Sequence, residues 1–166
     1  MGNYSDFAGG VVEVQSGDII QMKEVEFVTP SHITRSNATT YMINDAAIAI
    51  TPQYSDSKIF GEIHFPMSRG YGSCLELYRA GSGVTDGALF SVTANYNTNY
   101  YYGLAYFSTG GGQWSPTNFA YIDTSHNTTQ ETTYTPRVRS WTTYSTTGYY
   151  AHQNSQVLHR LYEIKL

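Results

Sequence analysis

The strongest constraint in this sequence is a period-two alternation of apolar and polar residues in two separate stretches. In residues 58–65, Ile59 and Ile63 share one phase, whereas Glu62 and His64 share the other. Successive side chains of a β-strand point to opposite faces, so this pattern predicts a strand with one buried face and one polar face.

The last eight residues show the same period. Tyr162, Ile164 and Leu166 fall on one face, and they alternate with Leu161, Glu163 and Lys165. A chain that ends on such a strand is expected to close a sheet with it. We therefore interpret both stretches as strands of one sandwich, completed by the rest of the chain.

Composition agrees with an all-β domain. The chain has 166 residues, which suits one domain with one core, and only 13% of them are charged. Sixteen tyrosines and many Thr, Ser, Asn and Gly favour strands joined by polar loops. Because no segment has helical periodicity with caps, about eight or nine short strands are predicted. The predicted fold is an antiparallel β-sandwich of the jelly-roll type over residues 18–166.

The first seventeen residues differ from the rest, because they are rich in glycine and weakly periodic. We predict an N-terminal arm over residues 1–17, with a short edge strand at residues 11–14 as the alternative. An arm of this kind suits docking on a partner surface. Its apolar anchors are Tyr4, Phe7, Val11 and Val12.

Several boundaries follow from proline and glycine. Pro66 is expected to stop the strand that begins at Lys58, and Pro136 is expected to mark an edge or a bulge. Residues 108–118 and 144–156 are predicted to be loops. Residues 39–51 are expected to form one strand whose small alanine face packs against another sheet.

No motif for metal, cofactor or phosphate binding stands out. The five histidines lack metal-ligand spacing, and the single cysteine, Cys74, is expected to be a small buried residue. No cofactor is predicted, and we expect that the protein is not an enzyme. A carboxylate pair remains conceivable, but each candidate is more simply a solvated charge or an ion-pair partner. The candidates are Glu62, Glu76, Asp123 and Glu163.

Charge and hydropathy narrow the range of partners. The formal charge of −4 comes without a Lys/Arg cluster, so a nucleic-acid partner is not expected. The longest apolar run, residues 46–50, is far too short to span a membrane, and no membrane partner is predicted.

Aromatic residues are the one chemical signal above background. Tyr and Trp bring a large contact area with little rotamer entropy, so they suit interfaces and can stack on sugars. The alternative is core and cross-strand packing. Three consecutive tyrosines cannot all point inward, so Tyr101 is expected to face solvent or a partner copy. The loop residues that suit a receptor or glycan are Tyr71, Trp114, Tyr149 and Tyr150.

Seven short segments form a distinctive series along the chain: SGDIIQ at 16–21, IAITP at 48–52, SDSKI at 55–59, LYRAG at 77–81, FAYIDT at 119–124, TYTPRVR at 133–139 and LYEI at 161–164. Together and in this order, they resemble the trimeric jelly-roll modules in structural proteins of tailed bacteriophages. Pro136 stands where the family has valine.

The resemblance implies a homotrimer with the closing strand near the three-fold axis. Tyr101, Tyr162, Ile164 and Leu166 would then lie at the trimer interface. Such modules serve as capsid decoration (cement) proteins, head fibres and tail-fibre tips. Because only a short arm precedes the fold, we expect a decoration protein that clamps neighbouring subunits of the major capsid protein. It would be assembled in the host cytoplasm and located on the capsid surface of the virion. The alternative is a fibre tip that binds a host receptor or surface glycan.

Overall fold

The structure is a computed structural model that describes residues 14–28, 33–35, 40–68, 73–89, 105–107, 114–140, 148–151 and 156–166. These residues form strands joined by turns, with one short 3-10 turn at Asn44–Ala46. The strands are β1 (Ile19–Val28), β2 (Ile33–Arg35), β3 (Thr40–Met42), β4 (Ile48–Ile50), β5 (Lys58–Ser68), β6 (Ser73–Gly81), β7 (Gly87–Ala88), β8 (Ala105–Phe107), β9 (Trp114–Asp123), β10 (Thr132–Ser140), β11 (Gly148–Ala151) and β12 (Gln156–Ile164).

The strands build two antiparallel sheets. The first, here called the four-stranded sheet, has the order β1-β12-β5-β9. The second has β10 and β6 at its centre; β3 and β4 share the free side of β10, and β7 and β8 share the free side of β6. A small separate sheet pairs β2 with β11.

Counting each shared side as one position leaves eight strand positions. Numbered in chain order and without the small β2–β11 sheet, these positions give the orders 1-8-3-6 in the first sheet and 2-7-4-5 in the second, which is the connectivity of a jelly roll. The predicted antiparallel β-sandwich is therefore confirmed.

The core lies between the two sheets and follows the predicted alternation. Ile59 and Ile63 of β5 are fully buried, as are Leu75 and Leu77 of β6 and Tyr134 of β10. His64 lies on the other side of β5 and is exposed, which agrees with the predicted polar face of this strand. Closing strand β12 buries Val157 and Leu161 on its inner face.

Two predicted loop boundaries are wrong. Strand β5 runs through Pro66 to Ser68, and β9 begins at Trp114 within the predicted loop. Pro66 and Pro116 are paired with each other across β5 and β9, so the two residues that lack an N–H group lie directly opposite one another. Tyr149 and Tyr150 likewise lie in strand β11, which pairs with β2, and not in a loop.

Residues 39–51 do not form one strand, and Pro136 is the reason. Strand β10 is central and its register with β6 has no bulge, so the expected edge or bulge at Pro136 is wrong. On the other side of β10, β3 pairs with residues 137–139 and β4 pairs with residues 132–134. Pro136 lies opposite the gap between β3 and β4, where no acceptor needs its missing N–H.

The Asn44–Ala46 turn fills that gap, and Ile43 N donates to Pro136 O at 2.9 Å. Beyond it, Ile48 and Ile50 are buried and Ala49 is exposed. The expectation that the alanine face packs inward is therefore wrong, because the larger isoleucine face buries more apolar area.

The apolar residues of strand β1 change phase along the strand, a pattern that is typical of a β-bulge. Met22 and Val25 fall in opposite phases, yet the register with β12 is unbroken from Gln21 to Val28. The bulge lies earlier, between Ile19 and Gln21. Met22 therefore points to the outer face of the four-stranded sheet, whereas Val25 packs against the core.

One glycine is required by a side chain that crosses its strand. Tyr121 of β9 and Leu161 of β12 both pair with Gly61 of β5, and the Tyr121 ring lies directly over the glycine. The ring thereby reaches across β5, and its hydroxyl is 2.8 Å from His159 Nε2 on β12. Any side chain at position 61 would block this crossing.

Gly61→Ala is predicted to destabilise the fold, because an added Cβ would overlap the Tyr121 ring. Overpacking of a rigid core site costs about 1–3 kcal/mol, which outweighs the usual benefit of alanine over glycine in a strand. The free energy of unfolding from a urea titration measures the effect. Gly87→Ala is the matched control, since nothing lies within 4 Å of a Cβ at that position. Equal stability of the two variants would show that Tyr121 does not need the gap.

Candidate interaction surface

Three buried polar clusters lie on the inner face of the sandwich. The first is centred on Glu163 of β12, whose side chain is fully buried. It accepts hydrogen bonds from Gln21 Nε2 at 2.7 Å, the backbone N–H groups of Gln53 at 2.8 Å and Tyr54 at 3.0 Å, and Ser57 Oγ at 2.8 Å. Burial alone would raise the pKa of Glu163, but these donors hold it below its usual range.

The second cluster joins the two sheets. Asp123 of β9 accepts from Arg79 Nη1 of β6 at 2.7 Å and from Tyr134 Oη of β10 at 2.8 Å. Its other oxygen accepts from Ser125 N at 2.8 Å. Burial favours the neutral acid, yet these donors outweigh it and keep the pKa of Asp123 below its usual range.

The third cluster is the crossing between Tyr121 and His159. His159 Nδ1 lies 2.7 Å from Ala46 O, so Nδ1 carries the proton and Nε2 accepts from the Tyr121 hydroxyl. Burial lowers the pKa of His159 from 6.5 to about 4, and the hydrogen bond to Ala46 offsets part of that shift. The imidazole is therefore neutral at physiological pH.

These clusters have the character of structural contacts. The carboxylates of Asp123 and Glu163 are saturated by neighbours, and Glu76 forms an ion pair with Arg137 at 2.6 Å. The expectation of solvated charges is therefore wrong for all three, whereas the ion-pair alternative is correct for Asp123 and Glu76. Within the described residues, no group of three or more His, Cys, Asp or Glu is placed to hold a metal ion.

The outer face of the four-stranded sheet is quite different, because an apolar row crosses it. Met22 pairs with Tyr162, Tyr162 with Phe60, and Phe60 with Ile122, so one residue comes from each strand. The two central rings pack at 5.8 Å between centroids. At the ends of the row, Met22 is 54% exposed and Ile122 is 52% exposed.

A charged row lies beside it, two residues along each strand. Glu24, Arg160, Glu62 and Ala120 are paired in that order across the sheet. Arg160 Nε donates to Glu24, and Tyr162 Oη donates to Glu62 at 3.3 Å. The apolar row and the charged row together are here called the outer-face patch.

Part of the predicted interface lies on or beside this patch. Tyr162 and Ile164 are half-buried on the outer face of β12, and Leu166, just beyond the strand, is 49% exposed. Met22, Phe60 and Ile122 were not predicted as interface residues, because strand register is what aligns them with Tyr162. The signal available in the sequence was that these three apolar residues occupy strand positions on the polar face.

The remaining predicted site residues are not tested. Tyr4, Phe7, Val11, Val12, Tyr71 and Tyr101 lie outside the described residues. Trp114, Tyr149 and Tyr150 lie in β9 and β11 by their backbone, which corrects their placement in loops. Contact of these side chains with a receptor or glycan stays a prediction.

Neither the family models nor the curated proteins include a match to this chain. Among solved structures, it is similar to the VP2 protein of infectious bursal disease virus in T=1 particles, with a TM-score of 0.48 and 13% identity. That match covers 98% of this chain and 40% of VP2. A structure of the Gx strain of the virus gives a TM-score of 0.43 at 10% identity over 88% of this chain and 37% of that one.

A third match is the dimeric latent PorU of Porphyromonas gingivalis, with a TM-score of 0.33 and 11% identity, covering 96% of this chain and 14% of PorU. The chain thus spans about two fifths of the VP2 chains that it matches. All three scores are below 0.5, so the fold assignment rests on strand order and pairing. Within the described residues, no helix is long and apolar enough to cross a membrane.

The His159 contact predicts a loss of stability on mild acidification. In the unfolded chain this histidine takes up a proton near pH 6.5, but in the folded chain, where its pKa is about 4, it does so only near pH 4. Stability is therefore lost as the pH falls through that window, by a total of about 3 kcal/mol. The measurement is the free energy of unfolding between pH 7 and 4 for the native chain and for His159→Gln, whose slope in this window should be smaller.

His64→Gln is the matched control, since His64 is exposed on the outer face. Its pH profile should follow that of the native chain. A profile for His159→Gln parallel to the native one would contradict the assignment of the acid sensitivity to His159.

Proposed function

We propose that this chain is a structural protein of a virus particle: a jelly-roll domain that associates with copies of itself and decorates the capsid. The observation that carries the proposal is the exposed apolar row on the outer face of the four-stranded sheet. The core of the domain lies on the other side of that sheet, so the row does not belong to the core. Contiguous apolar patches on a protein surface mark interaction sites.

The magnitudes indicate how large the contact must be. Burying a whole apolar side chain gains about 1.5–3 kcal/mol, so a half-exposed one gains roughly 1 kcal/mol. Association costs about 4–15 kcal/mol in lost freedom of motion, and four such side chains supply only about 4 kcal/mol, the lower end of that range. The contact must therefore extend over the charged row and over Ile164 and Leu166. A stable interface needs about 1,000 Å² or more in total.

The proposed assembly is a homotrimer with β12 near its axis. Strand β12 is an inner strand of the four-stranded sheet, so its outer face lies near the middle of the patch. In a trimer, the contacts that the three copies make with the capsid add, so the avidity of the trimer exceeds the affinity of any single contact. The bound trimer would hold neighbouring subunits of the major capsid protein together, a mechanical role that needs no catalytic group.

The proposed attachment to the capsid uses the N-terminal arm. Gly17 N donates to Lys165 O at 2.8 Å, and Lys165 N donates to Asp18 O at 2.9 Å. The residues that follow the arm are therefore tied to the end of β12, near Ile164 and Leu166. In a trimer built around β12, three arms would leave close together and could reach adjacent capsid subunits.

Replacing Met22 and Ile122 together with serine is predicted to weaken self-association without loss of fold, because both side chains are more than half exposed. Sedimentation velocity at micromolar concentration should show the native chain at three times the 18.5 kDa chain mass and the variant shifted toward a single copy. Thermal melting checks that the variant remains folded.

Val14→Ser is the control, since Val14 is an exposed apolar residue that precedes β1 and lies outside the row. It should leave the sedimentation pattern unchanged. A native chain that sediments as one copy at these concentrations would remove the basis of the assembly role.

Replacing Tyr4 and Phe7 with serine in the full chain is predicted to abolish capsid binding while the trimer persists, because in the proposed assembly the arm attaches to the capsid and the outer-face patch holds the copies together. The measurement is the amount of tagged protein that cosediments with particles of the virus that encodes it. Native occupancy of the particles by this variant would show that the arm does not attach the protein.

A further inference from the structure

The two halves of the outer-face patch complement each other. We propose that a second copy of this chain covers the patch in one orientation: the β1–β12 half of one copy lies on the β5–β9 half of the next, with Arg160 opposite Glu62 of the second copy. This inference rests on the proposed self-association and names the pairing that produces it.

The sheet order supplies the geometry. In β1-β12-β5-β9, a three-fold axis parallel to the strands, in front of the boundary between β12 and β5, keeps every residue at its height along the strands. It sets the β1–β12 half of one copy against the β5–β9 half of the next. Two sheets that pack face to face keep their strands within about 30° of each other, so an axis along the strands is compatible with ordinary sheet packing.

The apolar row matches itself under this rotation. Tyr162 of one copy meets Phe60 of the other, which sets aromatic on aromatic, and Met22 meets Ile122, which sets aliphatic on aliphatic. The half-exposed ends of the row, Met22 and Ile122, thereby cover each other.

The charged row matches its opposite charge. Arg160 meets Glu62 of the next copy, and Glu62 meets Arg160 of the third copy, which produces three cation–anion contacts around the axis. Both groups have unused capacity. Arg160 uses Nε for Glu24 and has further guanidinium donors, and Glu62 accepts a long 3.3 Å bond from Tyr162.

Among the described residues of the outer face, no like charges are brought together elsewhere in the contact. Glu24 meets Ala120, Glu26 meets Asn118, and Lys58 meets Ile164. A two-fold axis along the apolar row would instead set Arg160 on Ile164 and Glu62 on Lys58 of the other copy. That axis joins only two copies, so the proposed trimer requires the axis along the strands. The two-fold axis also leaves Arg160 without a carboxylate from the other copy, so restored association in the double charge-reversal variant distinguishes the two axes.

Charge reversal tests the pairing. Arg160→Glu and Glu62→Arg, each alone, should weaken self-association at least tenfold in apparent Kd, because like charges would then face each other (coupling of close charge pairs starts near ~1.5 kcal/mol). The double variant Arg160→Glu/Glu62→Arg should restore association to within about threefold of native, because both contacts form again with their signs exchanged. Sedimentation velocity gives the affinities, and thermal melting verifies the fold of each variant.

The neutral variants Arg160→Gln and Glu62→Gln repeat the test with less perturbation of the fold, and each should weaken association. Glu24→Gln is the matched control: it removes the neighbour of Arg160 within the chain, but it lies opposite Ala120 in the contact, so association should stay near native.

The outcomes separate the pairing from the self-association. A native chain that associates, together with single variants that match it or a double variant as weak as the singles, would overturn the pairing and leave the assembly role standing. A native chain that sediments as one copy would overturn both.

Discussion

The contact on which the sandwich depends is the buried Asp123 carboxylate between its sheets. Arg79 and Tyr134, from two strands of the second sheet, both donate to one oxygen of this residue on β9. A buried ion pair adds little net stability, because desolvation offsets much of the attraction. Removing one partner of the ion pair leaves the other charge buried and unpaired, however, so the contact specifies how the sheets are aligned. The apolar core then packs in the space that this alignment leaves.

Closing strand β12 carries two different surfaces because its side chains alternate. Its inner face buries His159, Leu161 and Glu163, whose polar atoms are met by Tyr121, Ala46 and the residue 51–57 turn. Its outer face presents Arg160 and Tyr162, which meet neighbours only within the sheet. Completing the core in this way leaves apolar area exposed on the outer face, at Met22 and Ile122.

Some residues behaved against simple sequence rules, and in each case a neighbouring strand is the reason. Pro136 lies in a central strand because β3 and β4 leave a gap beside it. Pro66 does not end β5 because Pro116 faces it. Glu163 is buried although a charged residue in a strand is usually solvated, because the turn before β5 supplies two backbone donors. None of these partners is near in sequence.

Alternation, together with the composition and the lack of helical periodicity, determined the fold class, the buried face of β5 and the grouping of Tyr162 with Ile164 on one face of β12, because period two is a local property of a strand. It did not determine which face of β12 is buried, since Glu163 lies on the inner face. Only the tertiary structure decided which strands become neighbours. That choice aligned Met22, Tyr162, Phe60 and Ile122 in one row, set Arg160 beside Glu62, and engaged the inward acids with distant donors. Register and sheet order depend on contacts between residues up to about 140 positions apart, such as Gln21 and Glu163, which no local pattern encodes.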